Sequence, residues 1–167
     1  MRDNRITALI VAAAVMLTGC AALGDGGSAT PAVAVTVEGP WAAAADTGMT
    51  AMFGRLTNGG DRDAVVIGGD SPAAGRVEVH EVAAGPDGVA TMRPKLGGIT
   101  IPAGGSHELS PGGDHLMLMD LTAPLRPGDD VSVTVIFADG TRLPVTAQVR
   151  DFVGADEEYA PGGHGHG

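Results

Sequence analysis

His115 and Met117 are the residues whose types and spacing point most directly to chemistry. They lie in the run 111–120, which begins Pro-Gly-Gly, and if this run is a β-strand, both side chains point to one face. Leu116 and Leu118 then point to the opposite face. An imidazole beside a thioether favours a soft metal ion, and reduced copper is the leading candidate.

His80 and Met92 supply a second imidazole and a second thioether upstream. The turn sequence Gly85-Pro-Asp-Gly88 lies midway between them, so a β-hairpin folding there would place the two donors nearly opposite each other. A register that pairs residues whose numbers sum to 172 puts both donors on one face, and a sum of 173 puts them on opposite faces. Both registers stay open, and Met92 could also lie in the loop that leads to Pro94. With the favourable register, four donors would close around one ion.

This donor set suits copper outside the cytoplasm. Paired cysteines tend to oxidise there, whereas thioethers keep their lone pairs and need no deprotonation. Two methionine sulfurs with two histidine nitrogens favour Cu(I) over Zn(II) or a hard cation. Because all four donors are neutral, metal loss is expected mainly when the histidines protonate, near or below pH ~6.5.

Each donor taken singly has a simpler interpretation. A lone histidine such as His115 is more often a satisfied structural residue, and a methionine in a β core is more often packing. Met119 shares the face of Met117 and is interpreted as packing. Three further residues have no spacing argument and are interpreted as core or surface residues: Met49, Met52 and His107.

The elements that must position these donors are short β-strands. The chain has 167 residues, with 27 Gly, 11 Pro and five aromatic residues, so one domain with an aliphatic core is expected. Trp41 to Ala45 is the one helix-like stretch, a turn or a short helical insert. Turn-bounded β-branched runs predict an all-β sandwich or barrel with strands over 33–37, 50–57, 64–67, 76–82, 89–92, 99–101, 115–121, 131–137 and 143–149.

The N-terminus resembles a bacterial lipoprotein signal. Arg2 and Arg5 precede an apolar stretch, and Leu17-Thr-Gly-Cys20 follows it, so residues 1–19 are predicted to be removed and Cys20 lipidated. The alternative is an ordinary secretory signal with an incidental cysteine. Since Cys20 is the only cysteine, no thiolate metal site, redox pair or nucleophile is expected. We therefore expect an extracytoplasmic protein attached to the bacterial membrane by its lipid.

The mature chain is acidic and divides into three parts. Residues 20–31 are predicted to be a flexible tether, 32–152 the β domain, and 153–167 a disordered tail. His164 and His166 in that tail could collect Cu(II), or the tail could be a solvated end without function. Removing residues 1–19 takes away two positive charges and one negative charge, which moves the formal charge from −10 to −11. Nucleic acid is therefore not an expected partner.

Five segments together resemble the periplasmic copper chaperone family PCu(A)C, over about residues 33–152: Val77-Glu-Val-His80, Met92-Arg-Pro, Ile101-Pro-Ala-Gly-Gly105, Leu109-Ser-Pro-Gly-Gly113 and His115-Leu-Met-Leu-Met-Asp-Leu121. The resemblance implies a cupredoxin-like Greek-key β-sandwich or barrel. It also implies an exposed Cu(I) site made by His80, Met92, His115 and Met117. Two departures stand out. Glu81 occupies the place of an optional second methionine, and 22 residues separate Met92 from His115, one more than is usual.

The resemblance further implies delivery of copper to the CuA centre of cytochrome c oxidase. The expected partner is a copper-accepting protein, either the copper subunit of that oxidase or another copper chaperone. A monomer without enzymatic activity is expected. The alternative is a β-sandwich ligand-binding or adhesion lipoprotein whose His and Met residues only pack. A copper oxidase is disfavoured because the chain offers neither Cys ligation nor several metal centres.

Overall fold

The computed structural model describes residues 29–85 and 88–152, and the backbone of residues 158–159. The predicted signal peptide (1–19), with Cys20 and most of the tether, lies outside the described residues, as do His164 and His166. Within the described part, no helix is long and apolar enough to cross a membrane.

The described residues form one short helix and eleven strands. Each predicted strand has an observed counterpart, and two short strands, β7 and β11, were not predicted. The elements are α1 (Pro31–Ala34), β1 (Val35–Ala43), β2 (Met49–Asn58), β3 (Ala64–Asp70), β4 (Ala74–Ala84), β5 (Ala90–Pro94), β6 (Ile99–Ile101), β7 (Ser106–Leu109), β8 (His115–Leu121), β9 (Asp130–Phe137), β10 (Arg142–Arg150) and β11 (Glu158–Tyr159).

Seven of the strands close into a barrel. Their order is β4, β8, β2, β1, β10, β9 and β3, and the pairing of β3 with β4 at Gly69 and Val77 completes the circle. Closure leaves no free edge among these seven strands, which protects the sheet from pairing with other chains. The prediction of an all-β barrel is therefore confirmed.

Inward-facing aliphatic residues hold the barrel together. In β9 the alternation predicted from the sequence is observed, because Val131, Val133, Val135 and Phe137 are all buried in the core. The hairpin to β10 pairs Val133 with Val145. Burial of one face of each strand is what fixes the register, since a shift by one residue would turn that face to solvent.

The interpretation of Trp41 to Ala45 as a turn or helical insert is wrong for its first part. Trp41, Ala42 and Ala43 belong to β1, which pairs with β2 on one side and with β10 on the other. Ala42 is fully buried. Pairing on both sides and burial against the core outweigh the helix propensity of alanine.

One short strand lies within the predicted disordered tail. The backbone of Glu158–Tyr159 forms β11, which runs parallel to β5 and pairs Tyr159 with Met92. These two residues lie within the predicted tail 153–167, the rest of which is outside the described residues. The chain returns at this point to the edge strand that carries one of the predicted donors.

Candidate metal centre

The two histidines predicted as donors lie directly opposite each other. Strands β4 and β8 are antiparallel neighbours, and their register pairs His80 with His115. Their ring centroids are 5.9 Å apart. Both side chains are buried, His80 at 0% and His115 at 1% exposure. The barrel thus brings together two imidazoles separated by 35 positions in the chain.

Met117 adjoins this pair on the same face of the sheet. It follows His115 by two residues on β8 and is paired with Glu78 on β4. Leu116 and Leu118 belong to the core cluster, whereas Met117, which is only 4% exposed, does not. The strand therefore presents its leucines to the barrel interior and its donors to the outside, as the spacing predicted. We call this side of β2, β8, β4 and β5 the outer face.

Met92 is on the outer face but is displaced from the other donors. Strand β5 pairs Val82 with Met92 and His80 with Pro94, so paired residue numbers sum to 174. That register is neither of the two considered from the sequence, yet it has the parity that keeps Met92 on the face of His80. In a flat sheet the Cα atoms of Met92 and Met117 would lie roughly 16 Å apart. The β4–β5 hairpin must therefore bend toward β8 for both sulfurs to reach one ion.

His115 presents one nitrogen in a state suited to a metal. Its Nδ1 donates a hydrogen bond to the carbonyl oxygen of Gly113 at 3.0 Å, which leaves the lone pair of the neutral ring on Nε2. Nε2 is buried, and no residue in the described part of the chain forms a hydrogen bond with it. Burial lowers the pKa of His115, against the opposing effect of the Gly113 carbonyl. A backbone carbonyl that fixes the tautomer is a common feature of metal-binding histidines.

Glu78 holds the second imidazole and was missed in the sequence analysis. Its Oε2 lies 2.9 Å from Nε2 of His80. The hydrogen bond from His80 lowers the pKa of Glu78, so the carboxylate is ionised and can only accept. In the neutral ring of His80, the hydrogen bond then places the proton on Nε2 and the lone pair on Nδ1. The signal was present in the chain, because Glu78 and His80 are two apart on one strand and must share a face.

Glu81 does not face the candidate site. It follows His80 directly, so its side chain lies on the other face of β4, where it accepts hydrogen bonds from Arg93 at 3.0 Å and Lys95 at 2.9 Å. Lys95 and then Arg93 lower the pKa of Glu81. Lys95 also lies 3.1 Å from Asp114, the residue before His115. Lys95 thus links the chain neighbours of the two histidines, Glu81 after His80 and Asp114 before His115.

Aromatic side chains border the site on the β2 side. The ring centroid of Phe53 lies 6.0 Å from that of His115 and 4.6 Å from that of Trp41. Phe152 packs against both Trp41 and Phe53, and it is 41% exposed. Because Trp41 is the only tryptophan, its fluorescence is a natural reporter for events at His115.

Charged and thiol ligands do not account for a metal site here. Among the described residues, no three His, Cys, Asp or Glu side chains come together in a way that could hold a metal ion. His107, which carried no spacing argument, is bound to Asp114 at 2.9 Å.

The closed seven-stranded β-barrel agrees with the fold of solved PCuAC domains. The copper-bound PCuAC domain from PmoF2 aligns with a TM-score of 0.60 at 21% identity, over 75% of this chain and 98% of that one. The Cu(I) form of DR1885 from Deinococcus radiodurans aligns with a TM-score of 0.53 at 31% identity, over 71% and 80%. The predicted cupredoxin-like fold is confirmed.

The chain belongs to the LpqE-like lipoprotein family, whose model, described as "Putative lipoprotein LpqE-like", matches residues 35–149. A relative from Leifsonia xyli subsp. xyli, strain CTCB07, is named "Putative lipoprotein Lxx21020". It is 44% identical over 163 residues, covering 95% of this chain and 98% of the relative. The family match covers all seven barrel strands except the last residue of β10.

Proposed function

We propose that this protein is a lipid-anchored extracytoplasmic copper chaperone that carries Cu(I) and passes it to a copper-accepting protein. The observation that carries the proposal is the buried pair His80 and His115, with Met117 beside it on the outer face. Burying two imidazoles outside the core is unfavourable unless their nitrogens find partners. Nε2 of His115 has none among the described residues, and a soft cation would supply it.

The proposed ligands are Nδ1 of His80, Nε2 of His115 and the sulfurs of Met117 and Met92. All four are neutral, so the positive charge of the ion is balanced by nearby groups and not by its ligands. Glu78 provides the nearest negative charge and orients the ring of His80. Soft neutral donors favour Cu(I) and exchange without proton release, which suits a carrier.

Several comparisons support the assignment. The aligned PmoF2 domain is copper-bound, and the aligned Deinococcus protein is in its Cu(I) form. The names of the family and of the Leifsonia relative support a lipoprotein, in agreement with the Leu-Thr-Gly-Cys20 sequence. The resemblance of the donor motif to PCu(A)C chaperones supports the CuA centre of cytochrome c oxidase as the destination of the copper.

Anaerobic Cu(I) titration against a chromophoric chelator tests the proposal. The protein should lack residues 1–19 and carry Cys20→Ser, so that no thiol competes for the ion. We expect one equivalent to bind, and His115→Ala or Met117→Leu to remove that binding. Met52→Leu is the matched control, because Met52 lies in the core, and it should bind as the parent does. Retention of full affinity by both ligand variants would show that the His and Met residues only pack.

The alternative of a ligand-binding or adhesion lipoprotein predicts a different pattern. In that case the parent protein retains no Cu(I), and truncation of Met117 lowers stability without any effect on metal. The same titration therefore separates the two functions.

The C-terminal tail is proposed as an auxiliary Cu(II) site through His164 and His166. Tyr159 pairs with Met92, and the five residues from Tyr159 to His164 can span up to ~18 Å. Deleting residues 160–167 should remove Cu(II) uptake and leave the Cu(I) equivalent intact. Loss of the Cu(I) equivalent on deletion would instead place the tail in the main site.

A further inference from the structure

Most methionines that follow Cys20 lie outside the core cluster of the barrel. The sequence has seven, and five of them follow Cys20. Of these five, Met52 alone belongs to the core cluster. The strand registers place the other four on the outer face with His80 and His115: Met49, Met92, Met117 and Met119. Methionine is usually a flexible filler of cores, so this one-sided placement calls for another reason.

Three of the four form a compact group. Strand β2 pairs Met49 with Met119, and Met117 precedes Met119 by two residues on the same face of β8. Directly opposite residues have Cβ atoms about 5 Å apart, and next neighbours on one face lie about 7 Å apart. Side chains with three rotatable bonds can bring three sulfurs from such positions to one point. We call Met49, Met117 and Met119 the thioether patch.

The patch runs from the candidate metal centre to solvent. Met117 and Met119 are each 4% exposed, whereas Met49, at the start of β2, is 37% exposed. Met117 is shared with the proposed four-donor site. An ion in that site therefore has a continuous line of soft ligands to the surface.

The charges around the patch are compatible with a monovalent cation. Arg76 is paired with Met119 across β4 and β8. Its guanidinium is neutralised, because Nε lies 2.7 Å from Glu78 and Nη1 lies 2.7 Å from Asp120. Two carboxylates with one guanidinium leave a net charge of minus one beside the sulfurs.

We propose that Met49, Met117 and Met119 form a second Cu(I) site, through which the ion passes between the four-donor site and the surface. This inference rests on the proposed function. The step is a ligand exchange in which a thioether sulfur binds Cu(I) as a histidine nitrogen leaves it. No electron moves, no bond to hydrogen breaks, and copper stays in the +1 state.

The first test follows the methionine methyl groups by NMR in the Cys20→Ser protein, with Ag(I) as a redox-inert soft probe. The first equivalent should shift the signals of Met92 and Met117. A second equivalent, held by Met49 and Met119 while Met117 stays with the first ion, should shift the signals of those two residues and leave that of Met52 unmoved. Signals of Met49 and Met119 that stay in place through two equivalents would overturn the second site.

The second test measures the rate of Cu(I) transfer from the loaded protein to a chromophoric chelator. Met49→Leu should slow transfer about tenfold, equivalent to ~1.4 kcal/mol in the barrier, while the affinity of the first equivalent stays near that of the parent. Met49 is partly exposed, so this variant should fold normally. Met52→Leu is the control on the same strand. An unchanged rate in Met49→Leu, or equal slowing in Met52→Leu, contradicts the proposal.

The two proposals fail in distinguishable ways. If the parent binds no Cu(I) and no Ag(I), the chaperone function and the patch both fall. If the parent binds one equivalent at His80 and His115 and Met49→Leu transfers it at the parent rate, only the patch falls.

Discussion

Replacing Glu78 with glutamine tests whether the carboxylate sets the protonation of His80 and, through it, the metal affinity. Glu78 lies 2.9 Å from Nε2 of His80, and its lowered pKa keeps it ionised. An ionised carboxylate accepts only, so it holds the proton on Nε2. Glutamine has nearly the same shape but can also donate, which allows the proton to move to Nδ1, the proposed ligand atom.

The expected loss of Cu(I) affinity follows from what a hydrogen-bond partner of a metal-binding histidine typically contributes. Groups that orient a metal-binding histidine are typically worth about 10–100-fold in affinity, or ~1.4–2.7 kcal/mol. The side chain of Glu78 is 33% exposed, so solvent screens its charge and favours the lower part of that range. Folding should change little, because glutamine keeps the volume and one hydrogen bond. We therefore expect Cu(I) to bind Glu78→Gln roughly tenfold more weakly than the parent.

Anaerobic chelator competition at neutral pH measures this affinity, and Trp41 fluorescence verifies the folded state. Glu81→Gln is the matched control, since Glu81 is three residues further along β4, on the opposite face, and bound to Lys95 and Arg93. It should retain the parent affinity. Parent affinity in Glu78→Gln, or an equal loss in both variants, would refute the assigned role of Glu78.

Three further outcomes are expected. The stability of the apo-protein in urea should fall as the pH drops below 6.5, because the folded-state pKa of His115 is lowered and the unfolded chain binds the proton more readily. The variant His115→Phe should flatten this pH dependence. Lys95→Ala should lower the free energy of unfolding by ~1–2 kcal/mol in urea titrations, since Glu81 and Asp114 lose a shared cation. As the control, Arg142→Ala at an exposed ion pair should lower it by less than ~0.5 kcal/mol. Leu116→Ala should cost ~2–5 kcal/mol in the same assay and still bind one Cu(I).

Local pattern was sufficient to predict much of the fold. The predicted strands at 99–101 and 115–121 coincide with β6 and β8, because turn sequences bound both and the alternation of side chains is clear. Strand β7 carries three polar residues in four and has no such pattern. It forms because β2 offers a partner, with Leu56 opposite His107, and a contact over that sequence distance leaves no local mark.

The site was predictable to the same degree and for the same reason. A period of two was enough to place Met117 with His115, and it would also have found Glu78 beside His80. The pairing of His80 with His115 depends on the long-range pairing of β4 with β8, which no spacing reveals. The β4–β5 register depends on the number of residues in the hairpin turn. It places Met92 opposite Val82, two residues away from the position opposite His80.

The outer-face position of His115 and Met117 keeps them out of the core cluster of the barrel. Leu116 and Leu118 close the barrel from within, so His115 and Met117 are free to serve a ligand without weakening the core. Burying the imidazole of His115 is unfavourable. It lowers the pKa of His115 and leaves Nε2 without a hydrogen bond from the described residues. An ion that takes this lone pair relieves that cost only in the folded state. Metal binding and the order of the outer face are therefore linked thermodynamically, and release of the ion to a partner must restore the unfavourable state. Soft ligands leading outward from Met117 would lower the barrier to that release.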